Sequence, residues 1–231
     1  MIAKSLPLSL PLHIVAEPLT HKSWAPYGDV IQGSDDPLSM PAHVVTNTIT
    51  ANPQGYKFNR ISPITSLYAS SSDDANFQGK PHTAINVIRV GPPKGLSHEG
   101  TTFDVRMLER HVATSQAFVP MSKAGHEWDE FTGQKGLEQT RGGGMLVVGC
   151  LGGPDGLPDY STLKVFVSSP GQGVCYHPGI WHHSLVSFAR ADIASIDTQI
   201  TTDGSKLIDL EILRRQPDEE PFAIVQLPKI L

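Results

Sequence analysis

Two stretches decide how this chain is read: residues 108–121, LERHVATSQAFVPM, and residues 176–185, YHPGIWHHSL. Both are short apolar runs broken by turn residues, and together they hold four of the ten histidines, a glutamate and a glutamine. Side chains on a strand alternate between faces, so Glu109 and His111 share one face and Arg110 takes the other. Gln116 follows a short corner and opens a second apolar run, Gln116-Ala117-Phe118-Val119. In the later stretch Pro178-Gly179 makes a turn. A strand starting near Trp181 then points His182 and His183 to opposite faces, and only one of them can look into a barrel.

Outward from these stretches the same texture recurs. Residues 12–20, 43–49, 84–90, 102–111, 116–121, 145–151, 163–168, 193–198 and 208–212 read as short strands. In the last of these Ile208, Leu210 and Ile212 share one face, with Asp209 and Glu211 on the other. Residues 20–26 suggest a helical turn, 33–41 and 70–81 are loop by composition, and Asn52-Pro53-Gln54-Gly55 reads as a turn. Frequent Gly and Pro with almost no helical period predict an all-β chain, a β-barrel or jelly roll with a few short helical turns. Residues 122–144 interrupt the pattern with charged and glycine residues and read as an inserted loop, a lid or surface decoration.

Length and charge narrow the class. A chain of 231 residues is ordinary for one all-β domain, here 1–231. A net charge of −5, without a Lys/Arg cluster interleaved with aromatics, argues against nucleic acid as a partner. No run approaches the ~18 apolar residues of a membrane span. Pro7 and Pro11 break the early apolar segment, which argues against a signal peptide and for a cytoplasmic location. Cys150 and Cys175 lie in apolar runs and read as buried, reduced thiols. Residues 145–151, continuously apolar, suit a central strand. With the terminal alternating strand they offer more apolar surface than a small barrel covers, which favours a homodimer.

A barrel mouth lined by Glu109, His111, Gln116 and His182 offers mixed nitrogen and oxygen donors, suited to a borderline divalent ion such as Ni, Zn, Mn or Fe. The same residues also read as a plain hydrogen-bonded cluster, since Glu and His on one strand pair readily. His177 is held extended before Pro178, either lining the site or serving the turn. Arg89 and Lys164 are lone cations inside strands. Each is an outer-face residue or a grip for a substrate carboxylate. Asp197 is a candidate general base, a partner orienting a histidine, or a solvent-facing side chain. Trp181 and Phe118 read as core, and His183 as packing away from the site.

The paired stretches resemble a degenerate cupin motif. Its usual first half, His-x-His then Glu, reads here Glu109-x-His111-x4-Gln116, and the histidine after its Pro-Gly turn falls on His182. More specifically, ERHVATSQAFVPM, PDYSTLKVFV and GVCYHPGIWHHSL, closed by Ile196-Asp197 and preceded by Tyr27-Gly28-Asp29-Val30-Ile31, are similar to the ureidoglycolate lyase family of purine and allantoin degradation. That resemblance implies a cupin-like double-stranded β-helix and a lyase cleaving (S)-ureidoglycolate to glyoxylate and urea. It also implies metal assistance, usually by nickel, with His111, His182, Glu109 and Gln116 as the ligand set, and a homodimer. Arg89, Lys164, His177 and Asp197 would then bind substrate. Family members run straight from the Pro-Met pair into the next strand, which marks 122–144 as inserted. A ureidoglycolate amidohydrolase releasing ammonia, another metal-dependent cupin enzyme such as a dioxygenase, and a non-catalytic cupin binding a small acid are the alternatives.

Overall fold

All six residues of Met145–Cys150 are buried, which a strand achieves only with a layer packed on each face. Met145 and Val147 enter one apolar cluster with Trp24, Phe118, Phe166 and Tyr176. Leu146, Val148 and Cys150 enter a second with Leu108, Val165, Trp181 and Val225. The computed structural model describes residues 10–68, 81–93, 102–121, 144–200 and 209–227. The expected inserted loop at 122–144 lies outside them except for Gly144, and the surface loop at 70–81 except for Pro81. Among the described residues no helix is long and apolar enough to cross a membrane.

The chain opens with β1 (Leu12–Val15), β2 (Glu17–Pro18), α1 (His21–Trp24) and β3 (Gly28–Ile31). A hairpin of β4 (Val45–Ile49) and β5 (Asn52–Asn59) leads to β6 (His82–Val90), β7 (Thr102–Val105), β8 (Met107–His111) and β9 (Gln116–Pro120). Then come β10 (Met145–Cys150), β11 (Lys164–Val167), β12 (Gly173–Tyr176), β13 (Trp181–His182) and β14 (Val186–Ser187). The last described strands are β15 (Ala191–Gln199), β16 (Leu210–Arg214) and β17 (Ala223–Gln226).

Three layers result. The middle sheet runs β16-β8-β13-β10-β11-β2, with β14 beside β10. A front sheet, β3-β12-β9-β15-β6, closes over the first apolar cluster. A back sheet, β1-β17-β7, closes over the second. The front and middle sheets form an all-β, cupin-like jelly roll, as the turn-punctuated sequence predicts. Gly149 keeps the front layer close: a Cβ there would stand 2.8 Å from the Tyr27 ring.

The structure corrects several boundaries. Residues 52–55 are not a turn but the start of β5, since the hairpin already turns between Ile49 and Asn52. Residues 102–111 form two strands in different sheets. The chain bends at Arg106, whose Nη1 donates to the carbonyls of Gln216 and Glu219. Residues 12–20 likewise split between the back and middle sheets. The surplus apolar surface expected from 145–151 is absent, because that strand is covered on both sides within one chain. Thr20 caps α1 as expected of a helical turn, accepting from the Ser23 amide at 3.1 Å.

Candidate active site

Register brings the two opening stretches together. In β8, Leu108 enters the back cluster, so alternation turns Glu109 and His111 into the jelly roll. β13 pairs His182 with Glu109 across the ladder. Trp181 belongs to the back cluster, which sends His182 forward. His183 falls on the back side, edge-on to the Phe103 ring at 5.4 Å. The turn before β13 is tight because Gly179 has φ +80°, a conformation that Gly adopts without strain. The Gly179 amide donates to the His111 carbonyl at 2.7 Å, tying that turn to β8.

The four expected residues do meet. His182 Nε2 lies 3.2 Å from Gln116 Oε1 and 3.8 Å from Glu109 Oε1. The His111 ring lies nearly parallel to His182, with centroids 6.2 Å apart. His182 is buried to 1% exposure, and Tyr176 stacks on it at 4.2 Å. Burial favours the neutral imidazole and lowers its pKa to about 3, despite the hydrogen bond to the Ile180 carbonyl. That bond, Nδ1–H to O at 2.9 Å, fixes the tautomer and leaves the lone pair on Nε2. Tyr176, fully enclosed, has its phenol pKa pushed upward by the same desolvation.

Sequence reasoning missed Asp209. Periodicity places it only with Glu211, on the face opposite Ile208, Leu210 and Ile212; it is 2% exposed and faces His111 Nδ1 at 3.4 Å, with Thr114 donating to its other oxygen at 3.1 Å. Burial pushes the carboxyl up, but interactions with His111, Tyr68 and Thr114 outweigh it and hold the group below its usual range. With Nδ1–H turned to a carboxylate, His111 carries its lone pair on Nε2, so both site histidines have the same tautomer. Asp209 precedes β16, and its placement depends on β16 pairing with β8, in which Leu210 lies opposite His111. No short-range pattern encodes that.

The expected substrate-binding residues divide. Asp197 stands opposite Gln116 in the β15–β9 ladder and is 2% exposed, so it does not face solvent. It accepts from Asn86 at 3.2 Å and from Gln199 at 3.0 Å. His177 is half-exposed just after β12, its ring paired with Asp29 at 3.1 Å and its carbonyl accepting the Ile180 amide at 3.3 Å. Arg89 lies on the outer face of β6, held by both oxygens of Asp192 at 2.6 Å. Lys164 is exposed, 3.7 Å from Glu17 on β2. Two strands, β13 and β10, separate Lys164 from β8. The structure brings neither Arg89 nor Lys164 to the four-residue centre; strand alternation had left their faces open.

The donor set bears on a metal. Among the described residues no three His, Cys, Asp or Glu side chains are grouped to hold an ion. The near pair is His182 with Glu109, and the third donor is the Gln116 amide oxygen. As oriented, that oxygen faces the lone pair of His182 Nε2. A divalent cation satisfies such a convergence, and so does an amide turned to donate its NH₂. One imidazole nitrogen, a carboxylate and an amide oxygen, with His111 alongside, fit a borderline ion.

Comparison with known proteins identifies the family. The family model for ureidoglycolate lyase matches residues 11–214. The ureidoglycolate lyase of Schizosaccharomyces pombe is 29% identical over 177 residues, 77% of this chain and 79% of that protein. That of Burkholderia mallei (strain NCTC 10229) is 31% identical over 182 residues, 78% of this chain and 79% of that protein. That of Pseudomonas syringae pv. syringae is 30% identical over 182 residues, 78% of each. A match over most of the chain, in a jelly roll whose two characteristic stretches converge on one polar centre, means that this chain belongs to the ureidoglycolate lyase family.

Proposed function

We propose that the chain is a cytoplasmic ureidoglycolate lyase of allantoin and purine catabolism, cleaving (S)-ureidoglycolate to glyoxylate and urea. Family membership across residues 11–214 is the observation that carries the reading. The buried His182–Gln116–Glu109 cluster with His111 gives it a chemistry. Free, buried Cys150 and Cys175 suit a reducing compartment.

One substrate carbon carries a hydroxyl, a carboxylate and the urea nitrogen. Loss of the hydroxyl proton lets C–O become C=O as the C–N bond breaks, and the departing nitrogen takes up a proton. His182, with its pKa near 3, is too weak a base to hold that proton at neutral pH, so it orients and accepts hydrogen bonds. His111, backed by Asp209, is the group that takes the hydroxyl proton at Nε2 and returns it to nitrogen. The Asp209 carboxylate stabilises the imidazolium formed in between. Glu109 and Gln116 fix the substrate's hydroxyl and urea ends. A divalent ion, nickel first among Ni, Zn, Mn and Fe, would be held by His182, Glu109 and Gln116 with His111 beside them. Such an ion would acidify the hydroxyl.

A coupled assay on racemic ureidoglycolate, with and without chelator, tests the reading. Glyoxylate and urea in equal amounts, without ammonia, are expected; stoichiometric ammonia would make the enzyme an amidohydrolase. His111→Ala should lower kcat/KM by about 10²–10⁴-fold.

We also propose a homodimer. Its support is the outer face of the front sheet, where Ile85 and Val87 of edge strand β6 are 72% and 59% exposed beside Ala194 and Ile196 of β15.

A further inference from the structure

Asp29 and His177 both lie in stretches that the sequence singles out, yet neither takes part in the proton transfer described above. Their side chains meet on the outer side of the front sheet, across it from His182. In β3, Val30 enters the front apolar cluster, so alternation turns Asp29 outward. At the end of β12, Tyr176 stacks inward on His182, which leaves His177 on the outer side with Asp29. His177 Nε2 lies 3.1 Å from Asp29 Oδ2, and because a carboxylate only accepts, Nε2 carries the proton. Ser62 Oγ donates to the same oxygen at 2.9 Å, and His43 stands 4.0 Å from Oδ1. Burial pushes the Asp29 carboxyl up, but the hydrogen bonds from His177 and Ser62 and the charges of His177 and His43 outweigh it and hold the group below its usual range.

His177 is also the first residue of a turn. His177-Pro178-Gly179-Ile180 closes with the Ile180 amide donating to the His177 carbonyl at 3.3 Å. Pro178 and then Gly179, at φ +80°, are the residues that a type II turn takes at its two central places. The turn is tied to both of its neighbours. The His177 amide donates to the Tyr27 carbonyl at 3.0 Å and its ring holds Asp29, so the entry is fixed to β3 and the residue before it. The Gly179 amide donates to the His111 carbonyl at 2.7 Å, which fixes the middle to β8. At the exit the Ile180 carbonyl accepts His182 Nδ1–H at 2.9 Å. One short turn thus holds the backbone of one site histidine and sets the tautomer of the other. Pro178 and Gly179 carry no polar side chain with which to anchor it, whereas His177 does. A partly exposed ion pair adds little to overall stability; this one fixes a direction.

We propose that Asp29 and His177 are positioning residues for the lyase centre. From outside the front sheet their pair braces the 177–180 turn, so that the Ile180 carbonyl keeps His182 Nδ1–H and the Nε2 lone pair stays turned to Gln116 and Glu109. Neither residue touches the reacting atoms, and both act through the backbone of the turn. The consequence for turnover rests on the lyase reading; the effect on His182 does not. A shift of about 1 Å in a group that orients substrate costs as much as 10²-fold in rate.

Nitrogen-15 spectra of the full chain's histidine rings report the His182 tautomer without substrate, and His182→Gln identifies its signals by their loss. The parent should show Nδ1 protonated and Nε2 bare. In His177→Ala and Asp29→Ala, with circular dichroism unchanged, the two shifts should move toward each other as the tautomers mix. In the same variants kcat should fall by about 10–10²-fold. His177→Gln, whose amide N–H₂ takes the place of Nε2–H against Asp29, should restore both readings. A role confined to stability would lower the melting temperature of the alanine variants and leave the His182 shifts in place. Unchanged shifts in folded alanine variants, mixed tautomers with undiminished kcat, or a glutamine variant no better than alanine would each overturn the assignment. A parent without turnover would remove the proposed reaction instead, and the spectra would still decide whether the brace sets His182.

Discussion

His182 and His183 are neighbours in sequence with opposite surroundings. His182→Ala should remove nearly all turnover and any bound metal, while His183→Ala, changing a ring packed against Phe103, should keep a measurable rate and full metal content. Turnover and elemental analysis on both variants decide this; equal, severe loss in both would contradict the register of β13. His182 also carries a pH signature. Its folded pKa, about 3, lies below the ordinary 6.5. The neutral side chain therefore contributes stability above pH 6.5 and loses it as pH falls toward 3. The slope from this residue is at most ~1.4 kcal/mol per pH unit. Urea unfolding between pH 4 and 7 should show a shallower dependence in His182→Gln. The division of faces at 182 and 183 was legible from the sequence, because a turn dipeptide fixes where alternation starts. Asp209 was not, because its partner is 98 residues away and only strand pairing brings them together.

Among the elements, β10 is buried on both faces. Its side chains enter both apolar clusters, and Gly149 lets Trp24 and Tyr27 lie directly on its backbone. A methyl group at that position would meet the Tyr27 ring at 2.8 Å and the Trp24 ring at 2.9 Å, so both aromatics must shift. Gly149→Ala is expected to destabilise by about 1–3 kcal/mol with the sheet intact. Thermal unfolding measures it, and an unchanged midpoint would mean that the rings move freely. A continuous apolar run told of a buried strand here. It did not tell which layers cover it, and the homodimer argument drawn from that run fails for this reason. β7 and β8 teach the same point. Ten residues of β-forming sequence look continuous, but sheet membership changes at Arg106 because its guanidinium is held by the turn at 216–219.

At the scale of the whole molecule, the proposed homodimer puts its test on one surface. The outer face of β6 and β15 presents Ile85 and Val87. Light scattering of the parent at micromolar concentration should give twice the chain mass. Ile85→Lys with Val87→Lys should give the monomer with unchanged circular dichroism. A monomeric parent would count against the assembly, and a doubly substituted dimer would move it to another face. The all-β class was legible because turn residues recur at short intervals. The three-layer order was not, since it depends on pairings between distant strands that periodicity alone does not choose.

The back sheet has one more consequence. β1 lies parallel to β17, with Leu12 opposite Ala223 and Val15 opposite Gln226, and β17 in turn pairs with β7. The first and last described strands are thus neighbours, and the layer that covers Leu108, Val148 and Trp181 is incomplete without residues from both ends. A chain growing from the ribosome has no means of closing this core until residue 226 has emerged. Until then its apolar back face is a surface for chaperones or for aggregation. The same pairing makes any truncation that removes β17 a lesion of the whole core rather than a trimmed tail.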